Sequence, residues 1–378
     1  MNRPVNRPHV FARGKASCYA DLPDHFEVFL SSGAIISGKD RDLFWIGWGA
    51  HSWRSEPDAR LLSFFAPDYF LRAKNPWLVF EFSREVSRET LLSWIDPYFS
   101  RLSSKAPQIG KWKEPSFESF GKDFSRIQLE IGKETFKKAV PVVFATAEFS
   151  FMPDFLVNCL QNSLQAPRTL FPYGFWIRDE KGKSEGCLGA TPEVLFHLNE
   201  KTLETAAIAG TAKIEQDDSL FLSDPKERFE HQVVIDDIVS RLSPLGEVSC
   251  GETGILKLPN LSHLMTPIQV ALSSSCDFEK QARDLHPTPA LGIFPRHPEL
   301  LEMLEAKEDV KRERFGAPFG AKWESKPTLC LVAIRNIQWH GERLSLGSGC
   351  GIVSQSDLES EWQELARKRK VTREVLGI

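Results

Sequence analysis

Apolar and polar positions change period several times along this chain, and the changes mark out its elements. Phe26-Glu27-Val28-Phe29-Leu30 and Trp77-Leu78-Val79-Phe80-Glu81-Phe82 are short apolar runs rich in aromatic and branched residues, which predict strands. A third β-rich run covers 139–144, and helical spacing follows over 153–164. Strands are predicted at 174–178, 186–190, 194–198 and 202–209, a strong helix at 226–242, strands at 328–334 and 342–346, and a helix at 359–374. Strand groups broken by long helices, without regular βαβ alternation, predict an α+β fold with antiparallel sheets and helices packed outside. Composition turns polar over 103–115, with lysine and proline, so we expect an aromatic-rich, β-rich N-terminal part at 1–115 and a second region at 116–378 of the same fold.

The most distinctive pattern is Leu344-Ser345-Leu346-Gly347-Ser348-Gly349-Cys350-Gly351-Ile352-Val353. Side chains alternate faces along a strand, so Gly347, Gly349 and Gly351 leave one face bare, where an anion can lie against the backbone. Ser356 with Glu359 three residues later predicts a capping box, opening a helix that carries Glu361 and Glu364 on one face. The helix at 226–242 carries Glu227 and Glu230, also three apart, where surface pairing with Lys226 or Arg228 is the alternative. Carboxylates beside an anion site repel the anion unless a cation lies between them. Mg²⁺ suits that place, because it takes oxygen ligands and keeps positions for substrate oxygens.

Composition narrows the class. The 378 residues are 42% hydrophobic, which suffices for a sizeable core, and no apolar run reaches the roughly 20 residues of a membrane span. Basic Met1-Asn2-Arg3-Pro4-Val5-Asn6-Arg7-Pro8 is followed by no apolar leader segment, so the expectation is a cytoplasmic protein. A net charge of −4 with both signs mixed gives no nucleic-acid footprint. The seven cysteines, Cys18 among them, lack CxxC spacing and predict reduced thiols.

Seven motifs occur in the order found in the chorismate-utilising enzymes: Gly189-Ala190-Thr191-Pro192-Glu193, Ala207-Ile208-Ala209-Gly210-Thr211, Lys226-Glu227-x-x-Glu230-His231, His286-Pro287-Thr288-Pro289-Ala290, Ala333-Ile334-Arg335, Gly349-Cys350-Gly351-Ile352-Val353 and Glu361-Trp362-Gln363-Glu364. Over roughly 125–378 the chain resembles that family, which includes isochorismate, salicylate, anthranilate and aminodeoxychorismate synthases. The resemblance implies a large antiparallel fold with a catalytic region at 116–378, chorismate as substrate and Mg²⁺ as cofactor. It implies Glu193 as the acid that protonates the departing C4 hydroxyl, and Arg335 as the grip on the pyruvyl carboxylate. Glu230 and Glu364 match the metal ligands, with Glu227 and Glu361 as further members of the cluster. Gly349, Gly351, Gly210 and Thr211 would contact substrate; His263 and His286 are family positions near it, and Cys350 is a small packing residue.

The attacking nucleophile separates the branches. Aminodeoxychorismate synthases carry a lysine where this chain has Ala209, which argues against that branch. Isochorismate and salicylate synthases use an upstream lysine to activate water, and Phe136-Lys137-Lys138-Ala139-Val140-Pro141-Val142 fits that segment with Lys138 as the base. A register shifted by three puts Pro141 there and leaves no lysine. Ile293 departs from a frequent glycine after the histidine-proline motif. Neither a glutaminase domain nor a tryptophan-feedback motif is evident, so no glutaminase subunit is expected. The resemblance implies an isochorismate synthase feeding menaquinone or siderophore biosynthesis, with a salicylate or anthranilate synthase, or an inactive chorismate-binding protein, as alternatives.

Overall fold

The structure is a computed structural model and describes residues 22–102, 109–179, 181–297, 299, 301, 310–324 and 326–378. The basic N-terminal residues, Cys18 and positions 103–108 of the polar seam lie outside the described residues. One 16-stranded sheet, antiparallel at every pairing, organises the chain. Its middle is built from the N-terminal strands Ser63–Phe65, Trp77–Ser87, Leu43–Arg54 and Gly33–Ser37. On one side follow Phe171–Arg178, Ser184–Thr191, Asn336–His340, Arg343–Gly349 and the edge strand Val142–Glu148. On the other come Pro318–Lys322, Thr328–Val332, Val194–Leu198, Thr202–Lys213 and Leu261–Leu272, which pairs with both Gly246–Cys250 and Gly254–Leu258.

The two halves of the sheet fold onto each other. Ile36, Phe64, Phe80, Phe171 and Phe175 pack with Phe319, Leu329 and Leu331 in one buried cluster between them. Helices Leu22–Ser31, Arg88–Phe99 and Pro153–Gln165 cover the outside of one half around Phe29, Leu91, Leu160 and Trp176. Helices Pro225–Leu242 and Phe278–Leu285 cover the other half around Val234, Ile238, Ala282 and Leu285. The architecture is the α+β, antiparallel arrangement expected from the sequence, and among the described residues no helix is long and apolar enough to cross a membrane.

Three sequence expectations change. The run at Phe26–Leu30 is part of the helix Leu22–Ser31, because Phe26, Phe29 and Leu30 are buried while Glu27 and Val28 are exposed, a helical spacing that five residues are too few to reveal. The run at 139–144 is two strands: Lys138–Ala139 pairs with Ile293–Phe294, and Val142–Glu148 pairs with Arg343–Gly349, with the break at Pro141. The last helix, Leu358–Leu376, is capped by Asp357, whose carboxylate accepts from the Ser360 N–H, so the Ser356 and Glu359 capping box is not formed. Ser356 instead accepts from the Val353 N–H and donates to Glu361. The described part of the seam lies along the sheet edge, where Ile109 and Lys113 bridge to Phe149 and Thr146. The described cysteines are free thiols, as expected.

Candidate active site

The two halves of the sheet are joined by crossing segments, and each crossing carries a charged residue. Between Ser184–Thr191 and Val194–Leu198 lies Glu193; between Thr328–Val332 and Asn336–His340 lies Arg335. The crossings hold each other, with the Val332 N–H on the Glu193 carbonyl at 3.0 Å and the Ala190 N–H on the Arg335 carbonyl at 3.2 Å. Arg335 adopts a left-handed φ of 54°, which costs of order 1–3 kcal/mol for a residue with a side chain and persists where surrounding structure enforces it. The guanidinium is thereby aimed into a cavity lined by Glu193, Gly210, Thr211, Glu230, His263, Gly349, Gly351 and Lys368.

A bulge shapes the neighbouring wall. Pairing between Thr202–Lys213 and Leu261–Leu272 slips between Ala209 and Thr211, leaving Gly210 unpaired at φ 75°. Its carbonyl accepts from His263 Nδ1 at 2.9 Å, so the proton is on Nδ1 and Nε2 is free to accept from Arg335 Nη2 at 3.2 Å. Burial, and then Arg335, push the His263 pKa down to about 3, which agrees with a neutral ring. Arg335 Nη1 is buried without a hydrogen-bond partner among the described residues. An unpaired guanidinium nitrogen facing a cavity is a donor waiting for an anionic acceptor. Burial lifts the Glu193 carboxyl to about 7, against the pull of Lys138, Lys368 and Arg335. Near neutrality it can therefore still hold a proton.

Four carboxylates meet below this cavity. Glu227 and Glu230 come from the first turns of Pro225–Leu242, and Glu361 and Glu364 from those of Leu358–Leu376. Three lysines face them. Lys138 is 2.9 Å from Glu230, Lys226 is 2.9 Å from Glu227 and 3.1 Å from Glu361, and Lys368 is 2.6 Å from Glu364. Burial tends to raise Glu230, but Lys138 and Lys226 hold it down at about 2; Glu364 is likewise lowered, chiefly by Lys368. Burial lifts Glu227 and Glu361 to about 7, and repulsion from Glu230 and Glu364 respectively adds to the rise. Glu361 Oε2 is buried and has no hydrogen-bond partner among the described residues. Hard, mutually repelling oxygens with one acceptor unsatisfied have the donor chemistry of a divalent-cation site. As they stand the carboxylates turn to lysines, and among the described residues no three of them converge as a metal shell.

Lys138 reaches the cluster because a glycine lets it. A Cβ on Gly351 would overlap the Glu230 carboxylate and come within 2.7 Å of Lys138 Cε. The bare face of this segment thus accommodates an ion pair of the protein itself as well as bordering the cavity. Ala139 bridges to Ile352, fixing Lys138 beside Gly351, and its side chain is fully buried. Gly351→Ala is expected to separate Lys138 from Glu230 and to lower turnover by at least about tenfold, equivalent to roughly 1.4 kcal/mol. Steady-state kinetics with a circular-dichroism melt checks this; unchanged turnover in a folded variant would show that the close approach is dispensable.

Residues 84–377 match the sequence profile of the family described as Chorismate binding enzyme. The chain belongs to that family. Curated relatives include the salicylate biosynthesis isochorismate synthase of Pseudomonas aeruginosa, 33% identical over 199 residues that make up 50% of this chain and 42% of the relative. The isochorismate synthase MenF of Pasteurella multocida is 25% identical over 74% of this chain and 64% of its own length. Anthranilate synthase component 1 of Bacillus pumilus is 30% identical over 52% of this chain and 40% of its own. The matched part spans between about two fifths and two thirds of these relatives' lengths. Among solved structures, MenF from Escherichia coli superposes with a TM-score of 0.71 at 19% identity, covering 95% of this chain and 92% of that one. Anthranilate synthase component I from Streptococcus pneumoniae gives 0.64 at 17%, covering 90% of each. At such identities these two likenesses speak for the fold.

In this chorismate-binding enzyme the cavity and the cluster below it draw together Lys138, Glu193, Gly210, Thr211, Arg335, Gly349, Gly351 and the four glutamates. His286 is placed elsewhere. It is buried against Tyr69, with Nε2 2.6 Å from the Tyr69 carbonyl, and it does not line the cavity. Thr211 serves the cluster, its N–H donating to Glu227 at 2.7 Å and its hydroxyl to Glu364 at 3.2 Å. Two lysines carry more than their sequence neighbourhood promised. Lys226 pairs with its sequence neighbour Glu227 and also reaches Glu361 on another helix. Lys368, four residues after Glu364, lines the cavity and donates to the Gly349 carbonyl at 2.8 Å; the i, i+4 spacing from a site glutamate was its only signal.

Proposed function

We propose that this chain is an isochorismate synthase, converting chorismate reversibly to isochorismate with Mg²⁺. The observation that carries this reading is a fully buried lysine paired with Glu230 at the cavity, together with the buried carboxyl of Glu193 in the cavity lining. Lys138 would take a proton from the water that adds at C2. Glu193 would give its proton to the C4 hydroxyl, which leaves as water. One water enters and one leaves, so the product is an isomer and no further reactant is needed. Arg335, through the unpaired Nη1, would hold a substrate carboxylate, and the neutral His263 keeps its guanidinium in place. Ala209 in the cavity wall offers no amine for covalent attack. The relatives named isochorismate synthase support the same branch.

Glu230 and Glu364 would hold Mg²⁺, with Glu227 and Glu361 completing the acidic surround, and the ion when bound would offset the charge of the ring carboxylate. Glu364→Gln is expected to weaken Mg²⁺ binding by about 100-fold or more, since even residues that only support metal ligands commonly cost 10- to 100-fold. Calorimetric titration with Mg²⁺ checks it, and an unaffected metal requirement would remove Glu364 from the ligand set. The reading itself is tested by incubating purified protein with chorismate and Mg²⁺ and separating the products by chromatography. Isochorismate alone is expected. Salicylate with pyruvate, anthranilate formed only with ammonium, or unchanged chorismate despite measurable binding would each overturn it.

A further inference from the structure

We propose that Lys226 is a resident counter-cation of the acidic cluster, an ammonium that occupies the carboxylates when no divalent ion is present and competes with one for them. The inference rests on the reading of that cluster as a metal site. Lys226 stands in the first turn of Pro225–Leu242, where the helix dipole disfavours a cation, so its position there is not explained by helix stability. Its ammonium turns onto oxygens of three carboxylates, Glu227 at 2.9 Å, Glu361 at 3.1 Å and Glu230 at 3.7 Å, and so ties together the two helices that supply the cluster.

The three lysines of the cluster are not equivalent. Lys138 is fully enclosed and cannot leave. Lys368 is also held by the Gly349 carbonyl and belongs to the cavity wall. The ion-pair partners of Lys226 among the described residues are all carboxylates and 22% of its side chain is open to solvent, so of the three it is the one that can rotate outward without leaving a backbone carbonyl or a closed interior. A divalent ion entering among the same oxygens would repel the ammonium at close range, and its departure would release to the ion the oxygens it holds, Oε1 of Glu227, Oε2 of Glu230 and Oε1 of Glu361, while Lys138 and Thr211 keep the other oxygens of Glu230 and Glu227. The lysine keeps the metal-free site from flying apart by like-charge repulsion, and in exchange weakens the site's hold on the ion.

Two measurements on the full chain test this. Calorimetric titration with Mg²⁺ is expected to show Lys226→Met binding at least about tenfold more tightly than wild type, with Lys226→Arg binding no more tightly and Glu364→Gln binding about 100-fold or more weakly. In metal-free buffer Lys226→Met is expected to melt lower than wild type and to recover on adding Mg²⁺. The second measurement needs no variant: Mg²⁺ is expected to raise the rate at which acetic anhydride acylates Lys226 in the wild-type protein, read by peptide mass spectrometry. Lys226→Met binding Mg²⁺ with wild-type or weaker affinity, or Lys226 acylation unmoved while Mg²⁺ binds, overturns the counter-cation role and leaves the metal reading standing. Absence of Mg²⁺ binding in wild type and variant alike overturns both.

Discussion

Replacing Lys138 with methionine is expected to lower kcat by about 10²- to 10⁴-fold, the usual contribution of a positioned acid or base, while changing chorismate affinity only a few-fold. The substitution keeps the length and apolar stem of a side chain that is fully buried, and removes the nitrogen that would activate water. It also takes away a partner 2.9 Å from Glu230. Breaking a buried pair commonly costs about 3–5 kcal/mol, but Lys226 at 3.7 Å leaves Glu230 a second cation, so the lower end of that range is expected. Mg²⁺ should restore part of the lost melting temperature by taking up the freed carboxylate. Saturating-substrate kinetics alongside a thermal melt separates the two effects. Near-normal turnover by a folded variant would eliminate Lys138 as the base and return weight to the alignment that places Pro141 at that position.

Glu193→Gln is expected to lose a similar 10²- to 10⁴-fold in kcat, because an amide fills the same space and cannot protonate the leaving hydroxyl. The pH dependence follows from the direction of the shift. Burial raises the Glu193 carboxyl from 4.5 to about 7, so the proton-bearing form needed for the acid persists to neutrality and is lost above it. The turnover of the wild-type protein should therefore fall as pH rises through about 7, a limb that the glutamine variant lacks. Stability moves in the same direction. A group whose folded pKa is raised contributes fully below its unfolded value near 4.5 and loses that contribution as pH rises through about 7. Above that range the ionised, buried Glu193 costs roughly 3 kcal/mol, at about 1.4 kcal/mol for each pKa unit. Glu193→Gln should accordingly gain stability over wild type between pH 5 and pH 8 in urea denaturation. A glutamine variant retaining most of its turnover, or a stability difference that does not change with pH, would refute the assignment.

Much of the fold was legible because its signals are local. The strand at 194–198 and the helix at 226–242 announce themselves through period and breakers within their own length. The helix at Leu22–Ser31 carries no such signal, because Phe26-Glu27-Val28-Phe29-Leu30 is too short for strand and helix spacing to diverge. The cap of the last helix went to Asp357 because Ser356 was drawn to Val353 and Glu361. Residue 141 could be seen as a strand breaker from proline chemistry alone, yet whether Lys138 lay near the site depended on the bridge from Ala139 to Ile352.

The sequence by itself determined the inventory: which carboxylates, glycines and basic residues the chain brings, that it builds an antiparallel α+β fold, and, through seven ordered motifs, its family. Only the tertiary structure decided which of those residues meet. It drew two helices more than a hundred residues apart into one acidic cluster, set Lys226 and Lys368 within it, and turned His286 away toward Tyr69. The reason is physical. Spacing along a helix or strand fixes which face a side chain occupies, whereas the field that sets its charge comes from groups that are neighbours only after folding. Glu193 is an ordinary carboxylate in the sequence, and enclosure at the crossing of two half-sheets makes it an acid near pH 7.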